Sequence, residues 1–139
     1  MNVTVKPPEN EENPLEELLI SQSELNKGKL LEVLKDFIRI DIDTGEIIPI
    51  SDYAYLTIWQ RIIVTLLGAK ALKALGKRDK ETMSPKELSD KSWINYNSVR
   101  SYLSQLETSK TISKLGSEYY VPNYNLEKIR LELIKIGES

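Results

Sequence analysis

Within the stretch YNSVRSYLSQLE, residues 96–107, the polar side chains Tyr96, Asn97, Arg100, Ser101, Ser104 and Gln105 alternate with the apolar stripe Val99, Leu103 and Leu106. At about 3.6 residues per turn this spacing puts the two sets on opposite faces of one helix. The polar face has no acid, and Thr108 extends it, while Glu107 falls near the helix end, where it can point aside. An ordinary solvated helix would present Glu and Lys. Arg can donate two hydrogen bonds to guanine, Asn and Gln can pair with adenine, and Ser is a short donor and acceptor, so this set is suited to reading base edges in a major groove.

Such a helix needs a second helix and a tight turn to present it. Residues 84–87, SPKE, place Ser84 as N-cap, Pro85 at the first helical position and Glu87 at the third, the pattern of a capping box. The resulting short helix ends near Asp90 or Lys91. From Leu88 the apolar positions run to Ile94, Val99, Leu103 and Leu106. This is the rhythm of a helix whose Leu88 faces inward, a turn plugged by Ile94 and a second helix with a three-residue buried stripe. Asn95 stands where the second helix needs its cap. After that helix, two short β-prone runs, 112–115 and 119–121, are joined through Gly116 and Ser117.

In its element order, three helices and then a hairpin, the chain resembles the winged helix-turn-helix superfamily, in particular its transcription-regulator members, over roughly residues 52–136. Two positions depart from that pattern: Ser92 and Trp93 stand where the turn commonly carries an apolar residue and then Gly, and Lys110 stands where the second helix commonly ends in Gly. Trp93 is the candidate to fill the missing apolar volume. The resemblance implies a recognition helix over about 96–109 in the major groove and a wing over 112–121 on the backbone of double-stranded DNA. Ser84, Lys86, Lys91, Lys110 and Lys114 flank the helix as candidates for phosphate contacts, which set position and affinity but not sequence. About five such contacts give a log-log salt slope of roughly −4 to −5.

The chain has 139 residues, a formal charge of −2 and a pI near 5.3, an unpromising total for a partner of a polyanion. The charge is segregated, however. Residues 1–60 hold five basic and twelve acidic side chains, net −7, and residues 61–139 hold fourteen basic and nine acidic, net +5. Screening limits each charge to about 10 Å at ordinary salt, so a partner touching the second half meets a basic surface. A solvated surface would account for that excess equally well; the acid-free face is what favours recognition.

Cysteine and histidine are both absent, which excludes disulfides, the usual zinc sites, thiol nucleophiles and imidazole acid-base catalysis. With no glycine-rich phosphate loop, the residues point away from an enzyme, and no cofactor is expected. Asp41, Asp43 and Glu46 do not form a calcium loop: counted from Asp41, the fifth ligand position is Gly45 and the obligatory sixth-position glycine is Glu46, so no metal is expected. No stretch is long and apolar enough to span a bilayer, and the N-terminus has no secretory pattern; a cytoplasmic protein is expected.

The fold expected is mostly α with small β-hairpins: a flexible acidic arm over 1–14, N-terminal helices and a β-hairpin over 15–51, and a winged helix domain with a C-terminal helix over 52–139. In the extension, PLEELLISQSEL from Pro14 predicts one helix and 27–38 a second, with Leu30, Leu31, Leu34 and Phe37 or Ile38 inward; FIRIDIDTGEIIPI predicts a hairpin turning at Thr44 and Gly45. Residues 52–75 predict one long helix, apolar on nearly all faces, with Gly68, Ala69, Ala71 and Ala74 allowing close approach. A last helix, capped by Asn125, carries Leu126, Ile129, Leu133 and Ile136 at coiled-coil spacing. The 52–75 helix, the 125–136 helix or both could join a homodimer, or could pack within one chain. A protein-binding winged-helix module in a larger assembly is the alternative to the DNA-binding reading.

Overall fold

The computed structural model describes residues 13–137, with side chains to Ile134. Most of the acidic arm therefore lies outside the described residues. The architecture is mostly helical, with two small antiparallel hairpins.

The N-terminal segment differs from expectation. Asn13 caps a single 3-10 turn, Pro14–Leu18, the chain then extends, and Ser21 accepts from the Glu24 N–H to start α1, Gln22–Leu34. One α-helix thus replaces the two expected, because the Ser21 cap divides the first apolar run and no neighbour covers Leu15, Leu18, Leu19 and Ile20, all exposed. α1 buries Leu30, Val33 and Leu34, with Phe37 and Ile38 following, while Leu31 is 66% exposed. A face of residues three and four apart includes Val33 and leaves Leu31 a quarter-turn away.

Strands β1, Ile38–Ile40, and β2, Ile47–Pro49, pair with Ile40 opposite Ile47. The turn between them is held by the Asp41 carboxylate, which accepts from the Asp43 and Thr44 N–H groups at 2.7 and 3.0 Å, and by Gly45 at φ 75°. Those bonds favour the ionised form and hold the Asp41 carboxyl below the usual carboxylate range. The acid at this tip is a turn-former.

The long helix is shorter than expected. Ser51–Tyr55 is a separate 3-10 turn, and α2, Ile58–Ala74, starts at a full capping box in which the Thr57 side chain accepts from the Gln60 N–H and the Gln60 side chain accepts from the Thr57 N–H. Residues 62–70 of α2 are buried without interruption. One side is covered by α1 and, at Gly68, by the first hairpin; a Cβ at Gly68 would lie 2.7 Å from Ile47 Cδ1, so the small residue admits a strand side chain and not another helix. The other side meets α3, Pro85–Ser92, α4, Tyr96–Thr108, and the second hairpin, β3, Ser113–Leu115, with β4, Glu118–Tyr120.

The last helix, α5, Leu126–Gly137, lies along α1. Leu126, Ile129 and Leu133 are buried there, and Arg130 reaches Glu32 at 3.1 Å and Glu127 at 2.7 Å. Most of the expected seam is thus filled by this chain's own α1; Ile136 lies outside the described side chains. Asn125 ends a 3-10 turn and does not cap α5: its amide donates to the Lys110 and Thr111 carbonyls at 3.0 and 2.9 Å, tying the end of α4 to the start of α5. One continuous core runs from Leu30 to Leu133. Among the described residues no helix is long and apolar enough to cross a membrane.

Candidate nucleic-acid interface

The presenting helix pair begins at Ser84, whose hydroxyl accepts from the Glu87 N–H at 3.1 Å. The expected capping box is only half made. Glu87 turns away from the cap to form a bidentate pair with Arg78, at 2.7 and 2.9 Å, and Arg78 also donates to the Thr82 and Lys80 carbonyls at 2.7 and 2.8 Å. A charged pair of this geometry is stronger than a capping contact, and the Glu87 hydrogen bonds raise the Arg78 pKa above its ordinary value. As the Ser84 oxygen only accepts in the cap, its own O–H remains able to donate.

The turn resolves the departure at Ser92 and Trp93. Ser92 is fully buried, its hydroxyl donating to the Leu88 carbonyl, which satisfies the polar group inside the core. Trp93 takes the left-handed conformation, φ 57° and ψ 36°, that glycine usually supplies. Its ring does not fill the core: it is 63% exposed and meets Tyr53 edge-on at 6.4 Å. Ile94 is the plug, buried, with its carbonyl accepting from the Ser89 hydroxyl at 2.6 Å. With Trp93 held in the left-handed conformation at the turn, it is Ile94 that follows Leu88 into the core.

Asn95 caps α4, accepting from the Asn97 and Ser98 N–H groups at 2.8 and 3.3 Å. Val99, Leu103 and Leu106 are buried. Tyr96, Asn97, Arg100, Ser101, Ser104 and Gln105 are all exposed, and among the described residues none of their side chains makes a hydrogen bond within the protein. The Arg100 guanidinium lies 5.9 Å from the Tyr96 ring centroid, an internal contact that leaves its donors free. The far end closes with Lys110 at φ 65°, its N–H donating to the Glu107 carbonyl and the Thr111 N–H to the Leu106 carbonyl, both at 3.0 Å. Lys110 therefore sits in the position that glycine favours.

The second hairpin is joined to the helix pair by a contact that the sequence did not suggest. Met83, just before the Ser84 cap, exchanges backbone hydrogen bonds with Tyr119 at 2.9 and 2.8 Å, adding a third, one-residue strand to the hairpin. Lys114 lies opposite Tyr119 in the register, its ammonium 5.6 Å from that ring centroid, and Leu115 is exposed beside Gly116 at the tip. The second hairpin is short, three residues a strand.

Four carboxylates of this half are engaged elsewhere. Glu81 pairs with buried Lys70, Glu87 with Arg78, Glu118 with Lys80 and Thr82, and Glu127 with Arg130 and Lys29. The Lys80 and Thr82 bonds hold Glu118 below the usual carboxylate range. Among the described residues Lys86, Lys91, Arg100, Lys110 and Lys114 have no carboxylate partner. Ser84, Lys86 and Lys91 share one cleft with Trp93, but Glu46, Glu87 and Asp90 line it too, so its field is mixed. Lys110 and Lys114 belong to the opposite end of α4 and to β3. Trp93, given a packing role by its sequence context, thus joins the surface residues beside the N-terminus of α4.

No protein-family model, curated protein or solved structure matches the chain.

Proposed function

We propose that this chain is a sequence-specific double-stranded DNA-binding protein of the winged helix-turn-helix type, a cytoplasmic transcriptional regulator and not an enzyme. α4 enters the major groove, Tyr96, Asn97, Arg100, Ser101, Ser104 and Gln105 face the base edges, and Ser84, Lys86, Lys91, Lys110 and Lys114 meet phosphates. The observation that carries the reading is the exposed, acid-free face of α4, its side chains unused within the protein, bordered by cations without carboxylate partners. Supporting it, the Met83 and Tyr119 bridge sets the hairpin beside the start of α3, the order of strand, helix pair and wing that the winged fold requires. Two copies would meet inverted half-sites about 34–36 Å apart. Since the described apolar stripes of α2 and α5, the latter as far as Leu133, are covered by this chain, pairing would draw on other surface.

The test is fluorescence anisotropy on duplex DNA over a salt series. Arg100→Ala is expected to weaken a selected site by about 1–3 kcal/mol and relax its sequence preference, while Lys114→Ala weakens all sequences alike and reduces the salt slope by about one. Absence of binding to genomic fragments at about 50 mM salt, where non-specific phosphate contacts are strongest, would overturn the proposal. The alternative, a protein-binding winged-helix module, is favoured by the exposed leucines ahead of α1. It predicts that Arg100→Ala leaves partner binding intact.

A further inference from the structure

One apolar depression has no residue of α4 in its lining. A groove of about 530 Å³ is floored by Leu30, Leu31, Leu34, Ile38, Ala71 and Leu75, and its rim carries Lys27, Lys35 and Arg39. Leu31 and Leu75 are 66% and 60% exposed. Lys27 has a loose partner in Glu24 at 3.3 Å, whereas Lys35 has no carboxylate partner among the described residues and Arg39 donates only to backbone carbonyls. The site is therefore apolar at its floor and positive at its edge.

The same chain displays a segment of the complementary kind. In residues 15–20, LEELLI, the side chains Leu15, Leu18, Leu19 and Ile20 are each at least two-thirds exposed, and Glu16 and Glu17 carry the opposite sign to the groove rim. Leu15, Leu18 and Leu19 stand three and four apart, the spacing by which a helix fills a groove. In the single chain the segment makes only one 3-10 turn, as expected of a short helix with nothing to pack against.

We propose that residues 15–20 of one copy seat in this groove of a second copy, and reciprocally, forming a two-fold, arm-exchanged dimer. Length argues against docking within one chain. The arm is fixed at Ser21, directly before α1, and as a helix it spans about 9 Å, whereas Leu31 and Leu34 stand about 14–18 Å along α1 from Gln22. Folded back on its own helix, the arm stops short of the part of the groove lined by Leu34, Ala74 and Leu75. From a second copy, without the tether at Ser21 of the same helix, it can reach that part of the groove, with Glu16 and Glu17 toward Lys35 and Arg39. The exchanged contact is isologous, so it closes at two chains. This inference does not depend on the DNA-binding reading.

Sedimentation equilibrium across about 1–500 μM, a range suited to a small interface, tests it. A concentration-dependent dimer is expected, with Leu19→Glu in the arm and Leu31→Glu in the groove each lowering the association constant at least tenfold, about the effect of losing one buried leucine. Both positions are exposed, so circular dichroism should be unchanged. The lack of native cysteine allows a second test: a Leu19→Cys chain mixed with a Leu75→Cys chain should oxidise to a covalent heterodimer. A wild type that stays monomeric throughout, a dimer that persists in both glutamate variants, or a disulfide that forms only within a chain carrying both cysteines would overturn the proposal.

Discussion

Residues 83–121 and residues 14–50 leave different things unused at their surfaces. In the first, two carboxylates are taken up within the fold, Glu87 by Arg78 and Glu118 by Lys80 and Thr82, and among the described residues Arg100, Lys110 and Lys114 have no carboxylate partner. In the second, the unused groups are apolar: Leu15, Leu18, Leu19, Ile20 and Leu31 face solvent, and Leu31 lines an apolar groove bordered by cations. Both regions bury side chains in the same core. The difference shows that a formal charge of −2 says little about partners. What a surface can bind depends on which charges are already satisfied locally, and here one region leaves cations unpaired while the other leaves leucines uncovered.

The sharpest way to break this comparison is to remove the shared support. Leu103 is 1% exposed beneath the polar face of α4, and Leu103→Ala should cost about 2–5 kcal/mol in urea unfolding. Because the core is continuous from Leu30 to Leu133, loss of structure should be a single transition at both ends. Two separate transitions would mean that the regions fold independently and that the contrast lies between two domains. A smaller effect is expected from Arg78→Ala, which strips Glu87 of both guanidinium bonds and frees the Thr82 and Lys80 carbonyls. The pair is less than one-third exposed, so the loss should be about 1–3 kcal/mol. It should also weaken DNA binding, as an unpaired carboxylate would then stand beside Lys86. Unchanged DNA affinity in a folded Arg78→Ala protein would show that sequestering the acids is unimportant to the interface.

Where local rules and core packing agreed, the sequence was informative. The Ser84 and Asn95 caps, the Ile94 plug and the stripe of Val99, Leu103 and Leu106 all follow from side-chain volume and helical period. The glycines at 45 and 116 marked their turns because only a positive φ closes them without strain. Failures came where a distant partner or a competing cap decided the outcome. Glu87 left its capping role for Arg78, nine residues away, and Asn125 chose the Lys110 and Thr111 carbonyls. The apolar run over 52–75 hid a break at Thr57, although the Thr57 and Gln60 capping pair was there to be seen. Exposure of Leu31 and Trp93 depended on which neighbour claimed the core position, Val33 in one case and Ile94 in the other. Of the candidate interface, the face of α4 was legible from spacing alone, but which cations would lack carboxylate partners was not, since that depends on pairings across the fold.

The finest distinction is between stability and binding at one residue. Lys110 holds φ 65°, where a side chain with a Cβ is strained by about 1–2 kcal/mol relative to the right-handed region. Lys110→Gly removes that strain but gives the unfolded chain more freedom, which costs about 0.4–1 kcal/mol. The net expectation is a protein more stable by about 0.5–1 kcal/mol, with the Glu107 and Leu106 carbonyls still capped, because those bonds use backbone N–H groups. The same substitution removes one ammonium from the end of α4, so DNA affinity should fall for all sequences and the salt slope should lose about one unit. Thermal denaturation and a salt titration on one preparation therefore move in opposite directions if Lys110 contacts phosphate. Higher stability with an unchanged salt slope would remove Lys110 from the interface and limit the phosphate contacts to the cleft side of α3 and the wing.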